Sequence, residues 1–310
     1  PPGLQGKPLD YQCTGLTTPD LWTPDAADDE VTIKMGTYNI EWWKLYKIEK
    51  GTRDPVGSFI LQTGPYDIMA FQECNDPGWA FVNKKLHGVY NFIHDSTTGN
   101  SASGLCTAWA VNTWKMLEHG ADWVGEDQQI KGQYYGKRAT QWSRLINFKN
   151  DRTLLFLNHH GPLPVDSGGQ CGGAATAQNL LRVIVTHGQP GDFIILTGDF
   201  NAGKSSATVA ELTKHLQHHF SGEIYGGVDN IFSNTNARDQ TNLGGFGSDH
   251  DALSAVMTLA GKPKPVKHEK CPEHPKCHCD WAARERCGAS GDDGSCCWRR
   301  CCHKYLEVVA

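Results

Sequence analysis

Five clusters of acidic, amide and imidazole side chains stand directly beside short apolar runs of this chain. Four of them follow an apolar run: Asn39, Gln72-Glu73, Asn158-His159-His160 and Gly198-Asp199-Phe200-Asn201. The fifth, Ser248-Asp249-His250, comes before its run. Carboxylate and amide oxygens bind hard cations, and imidazoles bind or transfer protons near neutral pH. Together these residue types are suited to handling a metal ion and a phosphate.

The apolar runs are the elements that must position these clusters. They cover residues 31–38, 67–71, 154–157, 193–197 and 252–259, and their composition predicts β-strands. Four strands would present their cluster at the carboxyl end and the fifth at its amino end. All five clusters can therefore line one rim only if the last strand is antiparallel to the others. Ligands of layered α/β folds bind beyond strand ends, so we expect a cleft there.

A metal site is predicted around Glu73. Cleaving a phosphoester requires a cation, a base that prepares water, and donors for the charge on the phosphoryl oxygens. Glu73 supplies a hard oxygen ligand, and Asn39 and Asp249 can add two more. Oxygen ligands favour Mg²⁺, Mn²⁺ or Ca²⁺ over zinc. Glu73 alone would also fit a surface carboxylate at a strand end, and the other clusters favour the metal.

Asp199 is the predicted base that orients and deprotonates the attacking water. It follows the apolar residues 193–196, which bring its carboxylate close to the core, where burial and neighbours adjust its pKa. Asn201 would point to the same side and donate to a phosphoryl oxygen. A turn-forming role for Asn201 is the alternative, because Asn and Gly are common in this segment.

Two imidazoles are predicted to act beside this base. Asp229 lies in another short apolar run, and a carboxylate behind His250 would fix its tautomer and raise its basicity. His160 would protonate the leaving oxygen or bind the phosphate. Asn158, two residues earlier on the same strand face, favours this role over that of an isolated structural histidine.

A nucleotide-binding loop is a competing interpretation of residues 198–205. They fit the pattern G-x-x-x-x-G-K-S between a strand-like and a helix-like segment. Asp199 inside the loop would repel the anion that the backbone N–H groups should hold. The carboxylate of Asp199 therefore favours phosphoester cleavage over ATP binding for this segment.

The residues that carry a family resemblance are Asn39, Gln72-Glu73, Asn158, His160, Gly198-Asp199-Phe200-Asn201, Asp229 and Ser248-Asp249-His250. In this order they resemble the endonuclease/exonuclease/phosphatase superfamily over residues 31–259. The resemblance implies an α/β fold, a four-layered α-β-β-α sandwich of two packed mixed sheets. It also implies a divalent cation around Glu73, hydrolysis by in-line attack of water, and action of Asp199 and Asn201 at the water and the phosphate.

Arg138 falls where the deoxyribonuclease-like members carry a phosphate-contacting arginine, with Lys137 and Arg144 as rivals. The chain departs from their pattern at residues 103–111, which offer no acidic partner for His160. This departure weakens the prediction of His160 as general acid, and that of deoxyribonuclease activity in particular.

Composition divides the chain into four parts. The first residues are rich in proline, and a Gly-Lys-Pro-Lys-Pro stretch begins at Gly261. Helical stretches are predicted at residues 174–187 and 206–219. The tail is too short to bury a core unaided and needs disulfides or a metal. The predicted parts are an extended lead-in (1–30), a metal-dependent phosphoesterase domain (31–260), a linker (261–270) and a cysteine-rich module (271–310).

The 12 cysteines form two even sets. Even sets predict disulfides and an oxidising compartment, so we expect a secreted protein whose export signal, if any, precedes Pro1. Zinc is the alternative for the tail, but adjacent cysteine pairs are awkward for a tetrahedral site. A disulfide at Cys74 would brace Glu73. The sets are Cys13, Cys74, Cys106 and Cys171 in the main domain and eight cysteines between Cys271 and Cys302.

Charge and hydropathy limit the partners. Residues 261–310 contain 10 Lys and Arg against 7 Asp and Glu, which leaves 19 against 27 for residues 1–260. An acidic main domain favours a small or lipid-linked phosphoester over a long nucleic acid. An acidic nuclease is physically possible, because a metal and local loops can outweigh the net charge. No apolar stretch approaches the roughly 18 residues of a membrane helix.

A non-catalytic function is the alternative to hydrolysis. The same fold can serve secreted adhesion or assembly, because fold does not settle function. The cysteine-rich module would then be the working part, with Trp298, Arg299 and Arg300 contacting a partner chain or a glycan, unless they form a solvated basic face. The presence of every central residue favours an enzyme.

Overall fold

The computed structural model of this chain describes residues 8–24, 30–44, 55–75, 88–94 and 104–259. The predicted linker and cysteine-rich module lie outside the described residues, and so does the choice between disulfides and zinc in the tail. Within the described ranges, no helix has the length and apolar character needed to cross a membrane.

Two six-stranded sheets form the frame of the molecule. In chain order the strands are β1 (Val31–Asn39), β2 (Ile68–Gln72), β3 (Tyr90–His94), β4 (Cys106–Ala110), β5 (Trp114–Glu126), β6 (Lys137–Asn147), β7 (Thr153–His160), β8 (Phe193–Asp199), β9 (Gln217–Ser221), β10 (Asp229–Ser233), β11 (Asn236–Asn242) and β12 (Leu253–Leu259). The described α-helices are α1 (Pro55–Thr63), α2 (Gly173–His187) and α3 (Ala207–Leu212). Sheet A has the order β11-β12-β1-β2-β4-β3, and sheet B the order β5-β6-β7-β8-β10-β9.

Each sheet has one parallel pair at its centre and antiparallel pairs around it. β1 and β2 are parallel in sheet A, and β7 and β8 are parallel in sheet B. β12 runs antiparallel to β1, with Leu253 opposite Thr37. The amino end of β12 therefore meets the carboxyl end of β1, which confirms the condition that the sequence placed on the last strand.

Apolar side chains fill the space between the sheets and beneath the helices. Alternate residues of a strand point to opposite faces. In β7, Leu154 and Phe156 lie in the core between the sheets, whereas Leu155 and Leu157 pack with α2 and α3. Phe59 of α1 packs on the outer face of sheet A. The fold is thus the predicted four-layered α-β-β-α sandwich, and burial of both strand faces explains the continuous apolar runs.

One of the two predicted helices is shorter than expected. α2 confirms the helix predicted for residues 174–187. The helix predicted for residues 206–219 is wrong in its second half, because α3 ends at Leu212 and Gln217–Ser221 form β9. Pairing with β10 supplies the backbone hydrogen bonds of this segment, so tertiary contacts outweigh the local helical pattern.

The N-terminal residues 8–24 contain no helix or strand and lie against sheet B and α2. A disulfide joins Cys13 to Cys171, in the loop before α2. The Trp22 indole donates a hydrogen bond to the Asp192 carbonyl oxygen at 2.9 Å. The disulfide attaches the lead-in to the loop between β7 and α2, and the hydrogen bond attaches it to the loop between α2 and β8.

Cys74 and Cys106 are free thiols, so the expected disulfide brace at Cys74 is wrong. Both side chains are buried in the apolar cluster under α1. Burial, and then contact with the Cys74 thiol, raise the pKa of the Cys106 thiol well above its usual value. An apolar setting of this kind keeps thiols protonated and unreactive.

Candidate active site

Strand ends from both sheets bring the predicted residues to one rim of the sandwich. Hydrogen bonds and ion pairs link six of the predicted side chains around a single carboxylate. The six are Asn39, Glu73 and His250 from sheet A and its loops and His160, Asp199 and Asp229 from sheet B.

Asn39 joins two carboxylates. Its Nδ2 lies 3.0 Å from Asp199 Oδ2 and 3.4 Å from Glu73 Oε1. Its Oδ1 accepts the Glu41 N–H at 3.1 Å. To bind a metal, Asn39 would have to use its Oδ1, which accepts the Glu41 N–H in this structure. Burial, and then the charge of Asp199, raise the pKa of Glu73 to about 7.

His250 lies between two carboxylates. Its Nδ1 is 2.9 Å from Asp229 Oδ2, which is the contact predicted for this pair, and its Nε2 is 3.7 Å from Asp199 Oδ2. Burial disfavours the charged imidazole, but Asp199 and Asp229 outweigh burial and raise the pKa of His250 to about 10. Burial raises the pKa of Asp229 to about 6. Burial also opposes ionisation of Asp199, yet His250 and His160 hold its pKa below the usual value.

His160 contacts the same carboxylate from sheet B. Its Nε2 lies 3.5 Å from Asp199 Oδ2 and 3.4 Å from Arg138 Nη1. Its Nδ1 is buried, and the part of the chain that the structure describes offers it no hydrogen-bond partner. Burial, and then the Arg138 charge, lower the pKa of His160 to about 3, so the imidazole is neutral at pH 7. None of the β4 residues is acidic.

Three basic residues are candidates for a phosphate contact, and Arg138 is the one beside these imidazoles. Lys137 pairs at the surface with Asp10, 2.7 Å away. Arg144 forms a buried pair with Asp192 at 2.8 Å. Arg138 is only 2% exposed, so its charge acts from beneath the rim.

Asn158 is engaged with the protein itself. It is fully buried, and its Oδ1 accepts a hydrogen bond from Gln72 Nε2 at 2.7 Å. Its Nδ2 donates to the carbonyl oxygens of Phe71 and Cys106 at 3.0 and 3.1 Å. Asn158 therefore joins sheet B to sheet A directly below the site.

Asn201 holds Asp199 in place. It has a φ of 45°, which Asn tolerates better than most residues, in agreement with the turn alternative. Its backbone N–H donates to Asp199 Oδ1 at 2.8 Å, and its side chain donates to the Gly161 carbonyl oxygen at 2.9 Å. One oxygen of Asp199 is thus fixed by the loop, while Oδ2 faces Asn39 and the imidazoles.

Asp249 lies exposed at the mouth of the site, beside two residues that the sequence analysis missed. Its N–H donates to the Glu41 carboxylate at 3.0 Å, and its own carboxylate accepts from the Tyr225 hydroxyl at 3.0 Å. The Tyr225 ring centroid lies 5.3 Å from that of His250. Glu41 follows Asn39 by two positions, and this spacing could have indicated that both residues reach the site. Tyr225 lies in a glycine-rich loop and gives none.

The donor set at the rim fits a hard divalent cation. Asp199, Asp229 and His250 offer ligand atoms that all lie within 4.8 Å of one another. Asp229 Oδ1 is buried and has no hydrogen-bond partner among the described residues. Carboxylate oxygens in this number suit Mg²⁺, Mn²⁺ or Ca²⁺. This group and the three predicted ligands, Asn39, Glu73 and Asp249, are therefore two alternative candidate sets with no residue in common.

Comparisons with known proteins agree with the geometry. The model of the Endonuclease/Exonuclease/phosphatase family matches residues 37–250. No curated protein matches the chain. Solved structures share the fold at low identity. An endonuclease/exonuclease/phosphatase family protein from Bacteroides thetaiotaomicron is 15% identical over 74% of this chain and 99% of its own, with a TM-score of 0.56.

Two further solved structures are similar to the same extent. The mannosyl-6-phosphatase Bt3783 of Bacteroides thetaiotaomicron is 16% identical over 72% of this chain and 98% of its own, with a TM-score of 0.54. The catalytic domain of human Nocturnin, with bound sulfate, is 17% identical over 74% of this chain and 95% of its own, with a TM-score of 0.55. At these identities the likeness concerns the fold.

Proposed function

Because this chain belongs to the endonuclease/exonuclease/phosphatase family, we propose that it is a divalent-metal-dependent hydrolase that cleaves a phosphoester bond by in-line attack of water. One observation carries the proposal. Around Asp199 Oδ2 lie Asn39 Nδ2 at 3.0 Å, His160 Nε2 at 3.5 Å and His250 Nε2 at 3.7 Å. A buried carboxylate among an amide and two imidazoles is suited to holding a water and taking its proton.

Glu73, Asn39 and Asp249 are the ligands we assign to Mg²⁺, or to Mn²⁺ or Ca²⁺ in its place. When bound, the cation would neutralise the phosphate and polarise a phosphoryl oxygen. The crowding of carboxylates at the rim supports this assignment, because a cation would offset their mutual repulsion. The Asp199–Asp229–His250 group is the alternative position for the cation.

The protein's own groups would move the protons. Asp199 Oδ2 accepts a proton from the attacking water, while Asn201 holds the other carboxylate oxygen. Asp229 fixes His250 through Nδ1, which leaves the Nε2–H of His250 free to donate to a phosphoryl oxygen. His160 serves the leaving oxygen or the phosphate.

The other two assigned residues act from below the phosphate. Arg138 contributes a buried positive charge behind His160. Asn158 is proposed to support the phosphate side of the site, either by direct contact or by holding the two sheets together. The stability and the KM of Asn158→Ala distinguish these two roles.

A small or lipid-linked phosphoester is the favoured substrate, because residues 1–260 are acidic. The likeness to a mannosyl-6-phosphatase supports including phosphomonoesters among the test substrates. The Cys13–Cys171 disulfide supports secretion, since such bonds persist in oxidising compartments. The cysteine-rich module would contact a partner chain or a glycan.

The test is a substrate panel with metal removal. The full chain, stripped with EDTA, is incubated with plasmid DNA, RNA, a sugar phosphate, a chromogenic phosphodiester and a chromogenic phosphomonoester. We expect hydrolysis of at least one substrate that depends on adding back Mg²⁺, Mn²⁺ or Ca²⁺. No turnover with any substrate and any ion would contradict the proposal and favour the non-catalytic adhesion or assembly module.

A further inference from the structure

Strand β6 carries two buried arginine–aspartate ion pairs of the same geometry. Asp127 accepts hydrogen bonds from Arg138 Nε at 2.8 Å and from Nη2 at 3.0 Å. Asp192 accepts from the same two nitrogens of Arg144 at 2.8 and 3.0 Å. Bidentate pairs of this kind hold a guanidinium in one orientation. The two pairs are therefore a matched set, six positions apart on one strand.

Asp127 ties three parts of the active-site rim together. It follows β5 directly and is completely buried. Besides Arg138, it accepts the Tyr135 N–H of the β5–β6 hairpin at 2.8 Å and the Leu163 N–H at 2.7 Å. Leu163 lies in the loop that leaves β7 just after His160. One carboxylate thus fixes the hairpin, the guanidinium and the loop beyond the histidine.

The environment of the guanidinium distinguishes the two pairs. Arg138 turns its third nitrogen, Nη1, toward His160 Nε2 at 3.4 Å. Asp192 lies directly before β8, where it also accepts from the Gln189 N–H at 2.9 Å and from the Thr153 hydroxyl. The Asp192 pair therefore lies at the opposite end of β8 from Asp199.

We infer that Asp127 is a positioning residue of the active site, acting through Arg138, which it holds against His160. Asp127 thereby sets the orientation of the His160 imidazole and fixes a positive charge behind the phosphate side of the rim. The catalytic consequence rests on the proposed function. The positioning itself rests on the contacts alone.

The His160 imidazole provides a readout that a purely structural role of Asp127 would not change. In full chain labelled with ¹⁵N-histidine, the ring resonances of His160 are assigned from their loss in His160→Asn. They should shift in Asp127→Asn and stay in place in the matched control Asp192→Asn. Both variants should lower the melting temperature, because each disrupts a buried ion pair. Unchanged His160 resonances in Asp127→Asn, or equal shifts in both variants, would overturn the inference.

Kinetics provide the second readout. On a phosphoester that the wild type hydrolyses, Asp127→Asn should lower kcat/KM by about 10- to 100-fold. This is the usual loss when a residue that orients an active-site side chain is replaced. Asp192→Asn should leave kcat/KM unchanged. The double variant Asp127→Asn/Arg138→Met should lose no more activity than Arg138→Met alone, because both changes act through one group. Additive losses would contradict action through Arg138.

The lysine variants keep the comparison available if Asp127→Asn does not fold. Arg138→Lys and Arg144→Lys retain the charge but lose the bidentate geometry. A His160 shift in Arg138→Lys alone supports the inference, and equal behaviour of the two variants overturns it. If the wild type hydrolyses no substrate while Asp127→Asn still shifts the His160 resonances, the proposed function is refuted and the positioning role is supported.

Discussion

The two sheets contribute chemically different halves of one rim. Sheet A and its loops supply the oxygen ligands, with Asn39 at the end of β1 and Glu73 just after β2, and also His250 before β12. Sheet B supplies Asp199 with the nitrogen groups of His160 and Arg138 close to it. Cation binding is thus expected mainly at sheet A and removal of the water proton at sheet B, while His250 reaches from the loop before β12 to Asp229 of sheet B. Substitutions can therefore disrupt the two tasks separately.

Three hydrogen bonds hold the halves in register. Asn39 donates to Asp199 at 3.0 Å, Gln72 donates to Asn158 at 2.7 Å, and His250 bonds to Asp229 at 2.9 Å. All three lie where strands end over the buried core between the sheets. The core therefore fixes the separation of the halves before any ligand arrives, which is the preorganisation that electrostatic catalysis requires.

The largest effect is expected from breaking the half contributed by sheet A. Glu73→Ala should abolish metal-dependent turnover and weaken Mg²⁺ or Mn²⁺ binding, because it removes the central hard ligand. Initial rates and calorimetric metal titration measure the two effects. Glu118→Ala, at an exposed carboxylate on β5, is the control and should change neither. Retained turnover in Glu73→Ala would refute the ligand assignment.

Breaking the half contributed by sheet B should affect chemistry more than metal binding. Asp199→Asn should lower kcat by about 100-fold or more, the scale at which general-base contributions begin. The same calorimetric titration should give a metal affinity close to that of the wild type. A loss of metal binding as large as in Glu73→Ala would instead place the cation at the Asp199–Asp229–His250 group.

A smaller effect is expected at the link between Asp229 and His250. Asp229→Asn should lower kcat by about 10- to 100-fold, because the imidazole loses the carboxylate that fixes its tautomer. The KM should change little. Asp239→Asn, at an exposed position of β11, is the matched control. An unchanged kcat in Asp229→Asn would remove this pair from the mechanism.

The smallest effect on turnover is expected at Asn158, which joins the halves from below. Asn158→Ala should reduce the free energy of unfolding by about 1–3 kcal/mol, because it removes the buried hydrogen bonds that Asn158 makes to Gln72 and to the β2 and β4 carbonyls. Urea denaturation measures this, with the exposed Asn236→Ala as control. Unchanged stability with a raised KM would favour direct substrate contact by Asn158.

The sequence by itself determined the strands that carry the site, the rim and the family. Strands buried on both faces require runs such as residues 154–157 and 193–197, and a polar cluster at the end of each run is a local signal. The direction of β12 followed from requiring one shared rim. Asp229 and His250 could be paired in advance because their chemistry is complementary, and the structure places them 2.9 Å apart.

Tertiary structure decided what depends on contacts between distant parts of the chain. β9 replaced the second half of a predicted helix because β10 was there to pair with it. Asn158 meets Gln72 across 86 positions, and an amide whose atoms are occupied this way has a structural task that local pattern does not reveal. Asp127 and Arg138 pair across a hairpin, yet only the folded sheet brings their third neighbour, His160, alongside. Spacing along the chain predicts which residues reach a rim. Which of them remain available to a ligand depends on the hydrogen-bond partners that each buried polar group finds in the folded protein.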